Sequence, residues 1–507
     1  MTPTAQRTTA SQLLIADLEH VVGRRNVVWK PEDLLLYEYD GSIDRAAPRV
    51  VVLPGSAEEA AECVKVANRH DAFIVPRGAG TGLSGGAIPL RDSVVIGLAR
   101  LNRILDVDIE NRVAIVEPGL VNLELSNRIA KHGLYYAPDP SSQKACTIGG
   151  NVAENAGGPH CLALGTTTNH VLGIQVVLAD GTLLWLGGPE RESTGYDLRG
   201  AFIGSEGTFG VVTKVAVRLL RIPEKIHTML AAFTSLDAAS QTVSDIIAAG
   251  IVPSALEMMD RVTIDACEPV YHPGYPADAE AVLIVELDGL TESVEEQSAL
   301  VEEVCNRNGA SELRSADDPA KRAELWATRK GAIGAFGTIA PSYYLVDGVV
   351  PRTRLQQVMR QVKAVGDELG LTIGNVFHAG DGNLHPCILF NERNKDEVVK
   401  VIQAGERILE ICVEHGGALS GEHGIGIEKQ AYMPLVFTED DMNAMKSLRE
   451  AFLNPDHGAA GTAQHTGKTP VSERFNPGKI FPGGANHGEA YGITEHSVRR
   501  AGRADEV

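Results

Sequence analysis

The chain has 507 residues, a formal net charge of −20 and 44% hydrophobic residues. That length predicts two or three domains, and that apolar share predicts ample core and excludes wholesale disorder. The acidic balance argues against nucleic acid or an anionic membrane surface as partner, so an anionic substrate needs a local cationic pocket. Seven scattered cysteines without a C-x-x-C pair predict neither a disulfide framework nor an iron–sulfur cluster, and a reduced, cytoplasmic setting. No apolar run has the length of a membrane-spanning helix, and the N-terminus lacks a signal-peptide core, so direct membrane insertion is not expected.

In chain order, residues 12–22 have helical apolar spacing, and Val50 to Leu53 read as a strand. Ser56 with Glu59 predicts a capped helix to about His70. Residues 73–75 lead as a strand into V-P-R-G-A-G-T-G-L-S-G-G-A, residues 75–87, and residues 94–96 lead out. Glycine lets a backbone come close to a ligand, successive N–H groups can form an anion-binding concavity, and Thr81, Ser84 and Arg77 add donors and charge. The stretch reads as a pyrophosphate cradle, although it is neither a Walker A loop nor a clean G-x-G-x-x-G.

A strand follows at 112–117, then a helix at 121–132 closed by Gly133, and an extended wall at Ala137 to Ser142 enforced by Pro138 and Pro140. A second glycine segment, T-I-G-G-N-V-A-E-N-A-G-G, covers 147–158. A hairpin turns at Asp180-Gly181 between strands 171–178 and 182–186. A third glycine segment, G-S-E-G-T-F-G, covers 204–210 and precedes the strand 211–220. Three such segments predict one large cofactor lying across several loops.

These stretches, with A-P-D-P-S-S-Q and F-I-G-S-E-G-T-F-G-V, resemble the FAD-binding half of the vanillyl-alcohol oxidase type of flavoprotein. The resemblance implies an α+β fold, with FAD between two small subdomains and a separate substrate (cap) domain. It implies FAD contacts by Pro76, Arg77, Gly78, Gly80, Thr81, Gly82, Leu83 and Ser84 in the first segment and by Pro138, Asp139 and Ser142 in the wall. Gly149, Gly150, Asn151, Ala153, Asn155 and Gly158 follow in the second segment, then Glu206, Gly207 and Val212, and finally Asn476. Some relatives tether the flavin through a histidine in the glycine loop. This loop has none, so non-covalent FAD is expected.

Beyond a boundary placed near residue 224, strands at 227–233, 254–259, 281–287, 343–350 and 372–377 alternate with helices at 235–249, 292–308, 319–334, 353–369 and 395–415. That rhythm predicts helices covering an antiparallel sheet. Within N-V-F-H-A-G-D-G-N-L-H, Asp381-Gly382 as a two-residue turn would set His378 directly opposite His385, able to share a divalent metal. Glu422 and His423, in S-G-E-H-G-I-G, add a carboxylate and a third imidazole. Two histidines, a glutamate and an open position form a catalytic rather than a closed zinc pattern. Arg329, in L-W-A-T-R-K, suits a carboxylate substrate, although any single arginine is more often a solvated helix face.

V-F-H-A-G-D-G-N-L-H-P, S-G-E-H-G-I-G-I-E-K, L-W-A-T-R-K and Y-Y-L-V-D-G-V-V-P resemble the FAD-linked subunit of bacterial glycolate oxidases and the wider D-2-hydroxyacid dehydrogenases. The likeness spans roughly residues 15 to 480. It implies His378, His385 and Glu422 as ligands of a divalent ion, zinc or manganese, with His423 as general base and Arg329 as carboxylate clamp. Glycolate or D-lactate is the expected substrate, with D-2-hydroxyglutarate or another D-2-hydroxyacid, oxidised without partner subunits, as the alternative. Glycolate oxidase implies a second flavin-type subunit and an iron–sulfur subunit, and through them a peripheral place at the inner membrane.

The expected organisation is a FAD-binding domain over 1–224, a substrate domain over 225–435, and a segment over 436–483 returning to the first. Residues 457–473 stand as an inserted loop before N-P-G-K, and 484–507 as a loose tail. A metal-dependent hydrolase would leave the three glycine segments idle. A scaffold that has lost its site would not keep His378, His385, Glu422 and His423.

Overall fold

A computed structural model describes residues 3–90, 92–189 and 195–453; the expected insertion, Asn476 and the tail lie outside them. Two compact units share the chain, the first holding residues 3–156, 166–221 and 423–453 and the second 157–165 and 222–422.

The first unit contains two main sheets. In one, strands Val50–Val52, Val94–Gly97 and Ile74–Arg77 run parallel in that order, with Val27–Val28 antiparallel at one edge. The crossover is the helix Ala57–Arg69, whose Ser56 Oγ accepts the Glu59 N–H and whose Glu59 carboxylate accepts the Gly55 N–H at 2.7 Å. Its buried face, Ala60, Cys63, Val64 and Ala67, packs with Leu14 and Leu18 of the opening helix. The other sheet is antiparallel, in the order 104–108, 113–116, 211–218, 171–177 and 183–187. Phe452, near the end of helix Glu439–Leu453, stacks on Phe209 at 4.8 Å within that sheet's core.

One expectation changes here. The second glycine segment forms a short helix, Ile148–Glu154, capped by Thr147. A Cβ on Gly149 would lie 2.5 Å from Pro118 Cβ, and the Gly149 N–H donates to Pro118 O at 2.7 Å. Close approach, not turn formation, is what requires that glycine.

The second unit is built on a nine-stranded sheet, antiparallel at every recorded pairing, in the order 310–316, 225–233, 281–289, 255–260, 372–378, 383–384 and 348–349. Strands 342–345 and 386–390 pair off that path. Helices start where caps stand: Ser235 before 236–248, Asp318 with Pro319 before 319–335, and Asn394 before 395–414. Two elements escape the apolar pattern. Helix Arg261–Tyr271 carries Pro269 in its last turn, and edge strand Ala310–Ala316 is polar. Among the described residues, no helix is long and apolar enough to cross a membrane.

Glu286, in the centre of this sheet, accepts hydrogen bonds from Thr228 Oγ1 and Trp326 Nε1 (2.7 Å) and faces His160 Nε2 at 3.2 Å. Burial works against its charge, yet His160, Thr228 and Trp326 outweigh burial and bring its carboxyl down to about 2 from 4.5. A depressed carboxyl stabilises the fold above the unfolded value and loses that contribution as pH falls through the folded one. For this shift the contribution is about 3 kcal/mol at neutral pH, lost between pH 4.5 and about 2. We predict that Glu286→Gln lowers the urea midpoint at pH 7 and flattens its decline with acid, read by tryptophan fluorescence. A variant with the parent's pH profile would show that Glu286 contributes nothing of this kind.

Candidate active site

In the first unit the three glycine segments, far apart in the chain, come into close contact. A Cβ on Gly78 would fall 2.6 Å from Thr147 Oγ1, and one on Gly207 3.2 Å from Pro76 Cγ. The N–H groups of Gly204 and Glu206 donate to Val152 O and Ala153 O at 2.9 and 2.8 Å. Gly80, Thr81, Gly82 and Leu83 form the half-buried rim, and a Cβ on Gly82 would meet nothing within 4 Å. Ser84 Oγ and Ser205 Oγ are buried without a hydrogen-bond partner. Two orphaned hydroxyls beside open glycine backbone fit a ligand rich in acceptors, such as the pyrophosphate and ring system of FAD.

The other expected contacts have clear placements. Arg77 is buried, and its Nη2 donates to Tyr39 O at 2.7 Å and its Nη1 to Ala87 O at 3.4 Å. It therefore braces the loop's two ends. Pro138 O accepts from buried Asn122 Nδ2 at 2.9 Å, which fixes the wall carrying Asp139 and Ser142. Gly149, Gly150, Asn151 and Ala153 lie on the short helix. Asn155 ends it in the left-handed region, with its Oδ1 accepting from Thr166 Oγ1 and the Thr168 N–H. Val212 turns its side chain into the core. Gly158 belongs to the second unit.

In the second unit His378, His385 and Glu422 come together, with one ligand atom from each within 4.8 Å of the others. The hairpin that brings the imidazoles together differs from the expected one. His378 pairs with Asn383 and Asn375 with Pro386, so residues 379–382 form the connection. A two-residue Asp-Gly turn needs positive φ at both positions. Here Gly382 has φ 82 and Asp381 does not, and its Oδ1 instead accepts the Asn383 N–H at 3.0 Å. A shift by two residues preserves the side-chain face, so the two rings remain neighbours, with centroids 5.0 Å apart.

His378 Nδ1–H donates to Glu257 Oε1 at 2.7 Å, and its Nε2 faces Glu422 Oε1 at 3.2 Å. His385 Nε2 lies 3.4 Å from the same oxygen. Two imidazole nitrogens and a carboxylate oxygen suit a divalent transition metal and leave a coordination position open. Burial opposes charge on His378, but Glu257 and Glu422 outweigh it and raise its pKa well above the ordinary value. Ion binding at Nε2 would release the proton from that nitrogen.

Behind this trio stand two carboxylates to which the sequence analysis gave no role. Glu257 is 1% exposed, in a strand whose six residues are all buried. It is held by Arg329 Nε at 2.7 Å and Nη2 at 2.6 Å. Burial favours its neutral form, but His378 and Arg329 outweigh burial and lower its pKa. The expected clamp Arg329 is thus itself buried and paired. Asp347 accepts from Ser420 Oγ at 2.6 Å and from the Gly421 and Glu422 N–H groups, fixing the turn that presents Glu422. A charged residue inside an apolar strand, A-L-E-M-M-D, was the available signal for Glu257. His423, half-buried, begins the return to the first unit.

The sequence pattern of FAD linked oxidases, C-terminal domain, matches residues 222–457, and that of the FAD binding domain matches 48–187. The chain is 46% identical to glycolate oxidase subunit GlcD of Escherichia coli K12 over 455 residues, 90% of each chain. It is 38% identical to glycolate oxidase subunit GlcD of Bacillus subtilis, covering 87% of this chain and 94% of that one. With D-lactate dehydrogenase of Anaerostipes hadrus the identity is 33%, over 81% and 89% of the two chains. Among solved structures, p-cresol methylhydroxylase superposes with a TM-score of 0.74 at 16% identity, covering 88% of this chain and 95% of that one. Alkyldihydroxyacetonephosphate synthase gives 0.69 at 18%, covering 88% and 83%. The expected vanillyl-alcohol oxidase type of α+β fold is borne out.

The pairing of Glu257 with His378 generates a prediction. Replacing a carboxylate behind a ligating histidine typically costs about 10–100-fold in metal affinity. Glu257→Gln should weaken zinc or manganese binding by that factor in a chelator competition and leave FAD content unchanged. Unaltered metal affinity would show that Glu257 does not orient His378.

Proposed function

The chain belongs to the family of FAD-linked oxidases, and on that premise we propose that it oxidises a small D-2-hydroxyacid, glycolate or D-lactate, to the 2-oxoacid. The observation that carries the substrate class is the meeting of His378, His385 and Glu422, since an ion there can be chelated by a hydroxyl and its neighbouring carboxylate. The names of the similar proteins, glycolate oxidase subunit and D-lactate dehydrogenase, support the same class.

FAD, held without a covalent tether on the three glycine segments, supplies the two-electron acceptor. His378, His385 and Glu422 would hold a divalent ion, zinc or manganese, which would supply Lewis acidity to lower the substrate hydroxyl pKa. His423 accepts the hydroxyl proton as general base. The guanidinium donors of Arg329 not held by Glu257 take the substrate carboxylate, in an otherwise acidic chain where such donors are scarce.

The first unit would be the flavin-binding part and the second the substrate part. The similar glycolate oxidase chains are named as subunits. No disulfide joins the seven cysteines. An iron–sulfur partner with a second flavin-type subunit would carry the electrons onward, from a cytoplasmic position at the inner membrane reached through those partners.

Two variants separate the ion's role from the base's. His378→Ala leaves two of three ligands, so metal affinity falls and excess ion partly restores turnover. His423→Asn keeps the ligands but removes the proton acceptor, a loss of about 10²–10⁴ in rate that added ion does not recover. FAD stays bound in both. Metal lost from the His423 variant and kept by the His378 variant would reverse the two assignments, and normal turnover in both would move the active site elsewhere.

A further inference from the structure

Glu206 sits in the third glycine segment with φ 52, a left-handed backbone rare outside glycine and frequent at functional positions. Its carboxylate is fully engaged by the chain itself. Oε1 accepts the N–H of Ile425 and Oε2 the N–H of Gly426, each at 2.7 Å. Two successive backbone donors on one carboxylate make a charge-assisted, geometrically defined anchor.

The anchored stretch has little order of its own. Gly424 (φ 90) and Gly426 (φ 51) flank Ile425, and glycine loses more freedom on ordering than any other residue. A Cβ on Gly424 would lie 2.6 Å from Glu154 Oε2 and 2.8 Å from Glu206 Oε1. On the far side Ser84 O, in the first glycine segment, accepts the N–H of Ile427 at 2.9 Å. A Cβ on Gly426 would come within 1.9 Å of that same oxygen. The stretch is therefore held from both sides by the glycine segments, and His423 immediately precedes it.

We propose that Glu206 is a positioning residue for His423: its carboxylate fixes the backbone at Ile425 and Gly426 and so sets where the neighbouring imidazole stands. The family resemblance gave Glu206 to the flavin, but both of its oxygens hold protein N–H groups instead. The proposal rests on the reading of His423 as general base. Misplacing a reacting group by about 1 Å can cost on the order of 10²-fold in rate.

The test is a double-mutant cycle on the FAD-loaded, metal-replete enzyme, comparing parent, Glu206→Gln, His423→Asn and the double variant. Each is assayed for FAD dissociation constant and for the rate of anaerobic flavin bleaching by saturating D-lactate. Gln keeps the shape but presents one acceptor and one amide to the two N–H groups. Glu206→Gln should bind FAD within about twofold of the parent and bleach about 10–100-fold more slowly. In the His423→Asn background the same change should cost less than about twofold, because the group it positions is gone.

Equal costs in both backgrounds would overturn the proposal, since Glu206 would then act independently of His423. A slow rate that recovers at saturating FAD would overturn it in favour of a flavin contact. Bleaching at the parent rate by His423→Asn alone would instead remove His423 as base, whatever Glu206 does. Should the Gln variant fail to fold, Glu206→Asp enters the same cycle; it keeps the charge but shortens the reach, with a loss in the parent background and none without His423 as the expected pattern.

Discussion

A carboxylate wholly or partly shielded from water must be met by donors or by charge, and the functional features of this chain depend on how four of them are met. Glu257 is met by Arg329 and His378, Asp347 by Ser420 and two backbone N–H groups, Glu206 by the N–H groups of Ile425 and Gly426, and Glu286 by Thr228, Trp326 and His160. Left unpaired, the three buried ones, Glu257, Asp347 and Glu286, would protonate or cost several kcal/mol in desolvation. Paired, each becomes a rigid point from which a neighbouring group is aimed. The directional partners are imidazole N–H, guanidinium and backbone N–H groups, all of which have fixed geometry.

The second unit shows the consequence for chemistry. Around His378 and His385 stand Glu257, Glu422, Asp347 and Asp381, with Arg329 paired to Glu257. Asp381 is pushed toward its neutral form, chiefly by burial. Such an excess of negative charge in low dielectric favours a divalent cation, and the two imidazoles select one that accepts nitrogen donors. On the proposed reading, a cation there and Arg329 would supply locally the positive field that the chain as a whole lacks.

Much of this was legible in the sequence because it is carried by spacing. The three glycine segments, the cap at Ser56 and the His378/His385 pair are all local patterns, and the first unit brings those segments into contact. The hairpin register was missed because a local hydrogen bond from the Asn383 N–H to the Asp381 carboxylate competed with the two-residue turn. Helix Arg261–Tyr271 was hidden by Pro269, and strand Ala310–Ala316 by its polar edge character. Glu257 and Asp347 could not be given partners from sequence at all. Asp347 meets residues 73 to 75 positions away and Arg329 meets Glu257 at a separation of 72, distances at which no periodicity speaks. Arg77, expected at the flavin, donates to Tyr39 O and to Ala87 O at the loop's far end.

The central claim is that a D-2-hydroxyacid delivers two electrons to FAD on this chain. Its most direct test is the absorbance of the oxidised flavin in the purified, FAD-loaded, metal-replete protein as glycolate, D-lactate or L-lactate is added without oxygen. The account predicts bleaching by glycolate and D-lactate, with stoichiometric 2-oxoacid, and an unchanged flavin with L-lactate. A flavin that none of the three can reduce, or one reduced as readily by L-lactate as by D-lactate, would contradict it.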